Sequence, residues 1–161
     1  MPLRQRSHKG GRRAISLRRP MYALVIGRVV RWGFRNLTRG TWQRPFRLFA
    51  DEIHFVFAGD HALACELHRK ADVRAWFERV WSMFDMNFEV HDVLVRGWLR
   101  ETRISTRFTN RMKARDGTEF KNEGMQYARL RWGRVVEDLL YEDTQMLARA
   151  VAHADSLQGQ S

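Results

Sequence analysis

The sequence predicts an α+β domain whose helices come mostly early and whose strands come mostly late. Three observations predict it. Residues 22–38 and 70–84 carry apolar side chains at helical spacing. Long alternating segments follow residue 86, and Trp132-Gly133-Arg134 separates the last two as a tight turn. A long antiparallel sheet that curves around the helices would leave a pocket between them and its concave face.

Composition and charge predict one folded domain between two disordered ends. The chain has 161 residues, 44% of them hydrophobic, which is enough for a sizeable core. Its net charge of +11 is uneven, because the first 20 residues hold seven Lys or Arg and no acid. We therefore predict a basic disordered arm over residues 1–20, a domain over 21–154 and a disordered tail over 155–161. The arm would either contact nucleic acid or acidic lipid or be a mere extension, and we favour the extension, so nucleic acid is not an expected partner.

Features that the sequence lacks indicate where in the cell the protein is located. No apolar run approaches the roughly 20 residues of a membrane span, and no secretory signal pattern is present. Cys65 is the single cysteine, so a disulfide within the chain is impossible. We therefore expect a cytoplasmic protein without a membrane span.

The first half of the chain reads as two helices, a strand and a third helix. Residues 22–38 form the first helix, and Thr41 caps a short second helix that ends near residue 50. Residues 51–57 alternate as a strand, and residues 61–68 are either a short strand or a loop. Residues 70–84 are the clearest helix, whose apolar stripe should lie across a sheet: Val73, Trp76, Phe77, Val80, Trp81 and Phe84.

The second half reads as four strands and a closing helix. The strands are residues 86–96, residues 98–115 and the two arms of a hairpin over residues 118–144. Strict alternation would place Asn122, Gly124 and Gln126 on the same hairpin face as Tyr141 and Asp143. That face mixes apolar, small and hydrogen-bonding side chains, which is typical of a cavity wall. The simpler alternative is a sheet whose two faces are both partly exposed to solvent. An Ala-rich helix follows, from residue 144 to about residue 154.

These segments resemble a known family. The stretch RLFADEIHFVFAGDHALACELHRKADVRAWFERV and the closing RWGRVVEDLLYEDT are similar to the polyketide-cyclase-like (SnoaL-like) branch of the nuclear transport factor two-like superfamily. The resemblance covers roughly residues 22–152. It implies a cone-shaped fold in which a curved, mostly antiparallel sheet wraps around N-terminal and central helices, and it implies a homodimer formed through the sheet. The family includes isomerases, cyclases, hydrolases and proteins without catalysis, so fold alone does not decide function.

The family's catalytic positions are only partly matched. The general-base Asp of ketosteroid-isomerase-like members corresponds to Phe57, whose ring cannot take a proton. The Asp-Arg-Asp set of epoxide-hydrolase-like members corresponds to Ser105, Arg103 and Asp143. The His and Asp of cyclase-like members correspond to His91 and Asp143.

Two functions therefore stay open. The first is a small-molecule-binding domain for an apolar ligand, with Asp143 as acid, base or orienting group and Arg103 and His91 as helpers. Asp143 could equally be a rim residue that holds a backbone amide where the last helix begins. The pocket would be lined by Trp76, Trp81, Phe84, Trp98, Asn122 and Tyr141. The alternative is a non-catalytic dimerising module with a vestigial pocket. Neither needs a cofactor or a metal, because the histidines show no ligand spacing.

Overall fold

The computed structural model describes residues 18–159, which form four helices and a single sheet. The helices are α1 (Arg18–Thr38), α2 (Gln43–Phe46), α3 (Lys70–Met83) and α4 (Thr144–Gln158). The strands are β1 (Phe49–Phe57), β2 (Cys65–Arg69), β3 (Phe84–Trp98), β4 (Glu101–Ala114), β5 (Glu119–Arg131) and β6 (Arg134–Glu142).

The sheet has six strands in the order β2-β1-β6-β5-β4-β3. Every neighbouring pair is antiparallel except β1 and β6, which run parallel. The sheet is curved and does not close on itself, and the helices pack against its inner face. This architecture confirms the predicted α+β fold with a curved, mostly antiparallel sheet.

Helices α1 and α3 cover the inner face because their apolar sides meet it. On α1, Phe34 packs against Phe88 and Phe108 with ring centroids 5.6 and 5.2 Å apart. On α3, Phe77 packs against Phe55 at 6.2 Å and is buried. Burial of each such ring contributes roughly 1.5–3 kcal/mol, so these contacts hold the helices in place. Within residues 18–159 no helix is long and apolar enough to cross a membrane.

Several element boundaries differ from the prediction. Helix α1 begins at Arg18 and α4 continues to Gln158, so both extend beyond the predicted domain limits of 21 and 154. Helix α2 is a single turn, and β1 begins at Phe49. The ambiguous segment contains β2, which pairs with β1. The rest of the predicted basic arm, residues 1–17, and residues 160 and 161 lie outside the described residues.

A β-bulge in the β5–β6 hairpin changes which side chains face inward. Leu130 pairs with Val135, whereas Arg129 pairs with Glu137, so β6 carries one extra residue at Val136. An extra residue reverses the alternation beyond it. The inner face of β6 therefore carries Asp138, Leu140 and Glu142, and the predicted inner set of Glu137, Leu139, Tyr141 and Asp143 is wrong.

Candidate functional site

Two cavities lie between the helices and the inner face of the sheet. Cavity A, of about 120 Å³, lies under α1 and α2, and cavity B, of about 60 Å³, lies under α3. Both exceed the roughly 10–15 Å³ that one water molecule needs. They share five lining residues, so they adjoin inside the domain: Phe34, Leu37, Phe77, Gln126 and Asp138.

Asp138 and Gln126 are the polar centre of cavity A. Every other residue that lines this cavity is apolar, aromatic or glycine. Gln126 Nε2 donates a hydrogen bond of 2.8 Å to Asp138 Oδ1. Asp138 is only 3% exposed, and its burial raises the pKa of the carboxyl to about 7, although the Gln126 hydrogen bond opposes that shift. An apolar cavity with two convergent polar groups is typical of a small-molecule site.

Glu142 is a second acid on the inner face of β6, where it lines cavity B and is half-buried as a whole residue. Burial raises the pKa of its carboxyl to about 7, and a hydrogen bond with the Asn110 side chain partly offsets this effect. Glu142 Oε2 and Asn110 Oδ1 are enclosed and have no hydrogen-bond partner among the described residues. The indole Nε1 of Trp81, which lines the same cavity, is also enclosed and unpartnered. Buried polar groups are usually paired, so these three atoms mark a place where a ligand could be hydrogen-bonded.

The two acids provide the interior with groups that can transfer a proton. A carboxyl whose pKa lies near 7 is present in both protonation states at neutral pH, so it can accept a proton and also return it. Asp138 and Glu142 are four residues apart on one strand, so they line the same wall without forming a carboxylate dyad. No group of three or more His, Cys, Asp or Glu side chains in residues 18–159 is arranged to hold a metal ion.

The structure places three of the predicted pocket residues at cavity B. Trp76, Trp81 and Phe84 line it, where α3 passes into β3. Trp76 Nε1 donates to the Leu63 carbonyl oxygen at 2.9 Å, which fixes the orientation of the ring. Phe57, which the resemblance places at the base position of ketosteroid-isomerase-like members, lines the same cavity and is buried.

Asp143 lies outside both cavities, which corrects its predicted role. It is exposed and precedes α4, where its Oδ1 accepts hydrogen bonds from the backbone N–H groups of Gln145 and Met146 at 3.0 and 3.2 Å. A helix N-terminus leaves such N–H groups without partners, and an N-cap carboxylate satisfies them. Asp143 is therefore a helix cap, which is the rim alternative that the sequence left open.

Arg103 and His91 lie on the outer face of the sheet and not in the interior. Arg103 is exposed and donates to Glu101 Oε1 at 2.7 Å. His91 Nε2 lies 2.7 Å from Thr109 Oγ1 on that face. Strand alternation separates them from Ile104, Phe108 and Asn110, which face inward. The predicted catalytic trio is therefore not brought together.

Asn122, Trp98 and Tyr141 also lie away from the cavities. Asn122 is buried, and its side chain exchanges two hydrogen bonds with the backbone of Asp143, at 3.1 and 3.3 Å. Trp98 is 38% exposed and packs on Tyr22, with ring centroids 4.6 Å apart. Tyr141 is 52% exposed on the outer face. Their predicted place in the pocket wall is corrected accordingly.

The residues that sequence reasoning missed are Asp138 and Glu142. The signal was partly present, because in the pairs Glu137-Asp138 and Glu142-Asp143 only one member could face inward. The bulge at Val136 decides that the inward members are Asp138 and Glu142. Gln126 was expected on the inner face, and the structure places it beside Asp138.

Several solved structures of other proteins have a fold similar to that of this chain. An NTF2-like protein from Burkholderia pseudomallei aligns with a TM-score of 0.66 and 18% identity, over 76% of this chain and 94% of that one. A candidate polyketide cyclase from Xanthomonas campestris aligns at 0.58 and 12%, over 76% and 93%. A ketosteroid-isomerase-like fold from Catenulispora acidiphila, in complex with trimethylamine, aligns at 0.57 and 16%, over 70% and 83%. No curated protein sequence matches this chain.

The family is shown by the sequence itself. A model of the SnoaL-like domain matches residues 30–138, which is about two thirds of the chain. The matched span begins within α1 at Val30, contains α3 and strands β1 to β5, and ends within β6 at Asp138. The similar structures have the same fold. The chain therefore belongs to the SnoaL-like domain family.

Proposed function

We propose that this domain binds an apolar small molecule in cavities A and B and that Asp138 transfers a proton to or from it. The observation that carries the proposal is the buried Asp138 carboxyl, which lines both cavities and has a pKa of about 7. The SnoaL-like fold supports a small-molecule role of the isomerase or cyclase type. A complex of trimethylamine with a protein of this fold also supports a ligand role.

The surroundings of Asp138 suit proton transfer on an apolar substrate. The apolar walls of cavity A would contact the ligand and exclude water, which strengthens the effect of a single carboxyl. Gln126 holds one carboxyl oxygen, so the carboxyl keeps one orientation through the cycle. Glu142 and Trp81 would bind a polar group at the other end of the ligand. The reaction class is then an isomerisation or cyclisation, in which Asp138 takes a proton from one position of the ligand and returns it at another.

The test is a comparison of two isosteric variants. The full-length protein is incubated with a panel of apolar ketones, enones and epoxides, and both binding and turnover are measured. Asp138→Asn should lower kcat by about 100-fold or more while it changes the dissociation constant little. Asp143→Asn is the matched control, because Asn also caps helices, and it should keep full activity. Full activity in Asp138→Asn on a turned-over compound would contradict the proposal.

A second candidate is the non-catalytic dimerising module. It is favoured by the outer face of the sheet, where Leu94, Met125 and Tyr141 are exposed although they are large and apolar. We propose that this face joins two copies of the chain, whichever function the interior has. If no compound of the panel binds, the module is the better account of the chain.

A cytoplasmic location remains our expectation for either function, because Cys65 is a free, half-buried thiol.

A further inference from the structure

The exposed apolar residues of this chain are concentrated at one end of the molecule. Within the described chain, eleven large apolar side chains are exposed, and three of them belong to the outer face of the sheet. The other eight lie on α1, at the end of β3 or in the two turns beside it: Met21, Leu24, Val25, Val29, Trp32, Trp98, Leu99 and Trp132. Such a concentration marks an interaction site, whereas scattered apolar residues do not.

These residues form one surface although they come from three segments. Tyr22 of α1 packs on Trp98, the last residue of β3, with ring centroids 4.6 Å apart. The Trp132 backbone N–H, in the β5–β6 turn, donates to the Leu99 carbonyl oxygen at 2.9 Å. The exposed side of α1 thus continues into both turns. We call this surface the apolar end and define it by Met21, Leu24, Trp98, Leu99 and Trp132.

The charge around the apolar end is positive. Residues 18–50 contain eight arginines and no Asp or Glu. Arg19 and Arg28 are exposed on the half of α1 that carries Met21 and Leu24. Arg100, Arg131 and Arg134 flank the two turns and are exposed. Glu101 is the acid in this region, and it pairs with Arg103 and Arg131. A large excess of cations therefore surrounds the exposed apolar side chains.

Trp132 occupies a position that Trp does not favour. It is 69% exposed and has a φ of 51°, which is the left-handed region where Asn and Gly are preferred. A bulky residue there destabilises the turn by roughly 1–2 kcal/mol, and the side chain gains little burial in return. The indole is therefore unexplained by the fold and is presented to the surroundings at the tip of a turn.

We propose that the apolar end docks on the surface of a bilayer that contains anionic lipid. Trp and short apolar side chains insert at the headgroup boundary, and arginines around them attract anionic headgroups. A nucleic acid would contact the arginines but would offer nothing to Met21, Leu24 and Leu99, since its surface is mainly charged phosphate. A second copy of this chain would bring the same arginines against one another.

The experiment is co-sedimentation of the full-length protein with vesicles. One vesicle preparation is phosphatidylcholine alone, and the other contains about one third phosphatidylglycerol. The protein should sediment with the anionic vesicles, should bind the neutral ones about tenfold more weakly, and should be released by salt. Trp132→Asn should weaken binding to the anionic vesicles about fivefold or more, while the melting temperature stays the same or rises because Asn suits the turn.

Arg149→Asn is the control, because it removes an exposed side chain and a cation from α4, outside both the apolar end and the outer face of the sheet. It should bind anionic vesicles like the unmodified protein. The proposal is overturned if the unmodified protein fails to sediment with anionic vesicles, or if Trp132→Asn binds them unchanged. It is also overturned if Trp132→Asn halves the mass of the protein in solution, since the apolar end would then be a contact between copies of the chain.

Discussion

The Asp138 carboxyl owes its raised pKa to its place between apolar walls. Gln126 supplies one hydrogen bond, which favours the ionised form, but it does not replace the hydration that burial removes. Burial likewise raises the pKa of Glu142, and its hydrogen bond with Asn110 favours the ionised form without offsetting that effect. Both side chains are thus easiest to bury when they are protonated, and this preference links the stability of the domain to pH.

The sign of that linkage follows from the two pKa values of each group. The pKa of Asp138 is about 7 in the folded chain and lies near 4 when the chain is unfolded. Between about pH 4 and pH 7 the folded state binds more protons, so the free energy of unfolding falls as pH rises through this window. Asp138→Asn should reduce that fall by roughly 2–4 kcal/mol, as measured by urea denaturation at pH 5 and pH 8.

Glu142→Gln should reduce the same fall, because its pKa is raised in the same direction. Asp143→Asn serves as the matched control, since it makes the same change of side chain at an exposed helix cap outside both cavities. An Asp138→Asn protein whose stability still falls as steeply as that of the unmodified protein would contradict the assignment.

At the scale of elements, the bulge in β6 determines the candidate site. The sequence predicted the turn at Trp132-Gly133 and both strands of the hairpin, because Gly133 and the alternating pattern are local signals. The extra residue at Val136 has no local signal, since Val is equally at home in a regular strand. It reverses the faces of Asp138 and Asp143, so the inward-facing acids could not be chosen from the sequence.

Other parts of the interior were predictable from the sequence. The aromatic side of α3 was visible in its helical spacing, and Trp76 and Trp81 line cavity B. The parallel pairing of β1 with β6 joins residues about 80 positions apart, which local patterns do not encode.

Asn122 ties the end of β6 to the start of α4. Its buried side chain accepts from the Asp143 backbone N–H at 3.1 Å and donates to the Asp143 carbonyl oxygen at 3.3 Å. Asn122→Ala would leave these backbone groups without partners in a buried place. It should lower the free energy of unfolding by about 2–3 kcal/mol, as measured by urea denaturation at constant pH.

The Asp143→Ala variant distinguishes the contribution of the helix cap from that of the two Asn122 hydrogen bonds. Loss of the cap alone should lower the free energy of unfolding by about 1 kcal/mol, and Asp143→Asn should change it by less than about 0.5 kcal/mol. If Asn122→Ala proved as stable as the unmodified protein, the two hydrogen bonds would not hold the junction.

At the scale of the whole molecule, the sheet divides the chain into an inner and an outer surface. The inner surface carries the cavities with Asp138 and Glu142. The outer surface carries a row across five strands that is apolar at four of its five positions, because register places these residues side by side: Val56, Leu139, Tyr127, Ser105 and Leu94. Such a row on an open sheet is suited to association, which supports the proposed homodimer.

The proposed dimer is tested by a charge in this row. Leu94→Arg would place a cation in the proposed interface, at the end of the row that lies on the edge strand β3, where it would meet apolar side chains of the second copy. The mass in sedimentation equilibrium should fall from dimer to monomer. Trp132→Asn lies at the apolar end and should leave the mass unchanged. A monomeric unmodified protein at all accessible concentrations would rule out the dimer.

The proposed proton transfer depends on a buried Asp138 carboxyl at the place where the two cavities adjoin. The most direct measurement is a pH titration of the side-chain carboxyl carbons by NMR, with the Asp138 signal assigned by its disappearance in Asp138→Asn. We predict a midpoint for Asp138 of about 7. A midpoint near 4, the usual value for a hydrated aspartate, would show that Asp138 is open to water and would contradict the account.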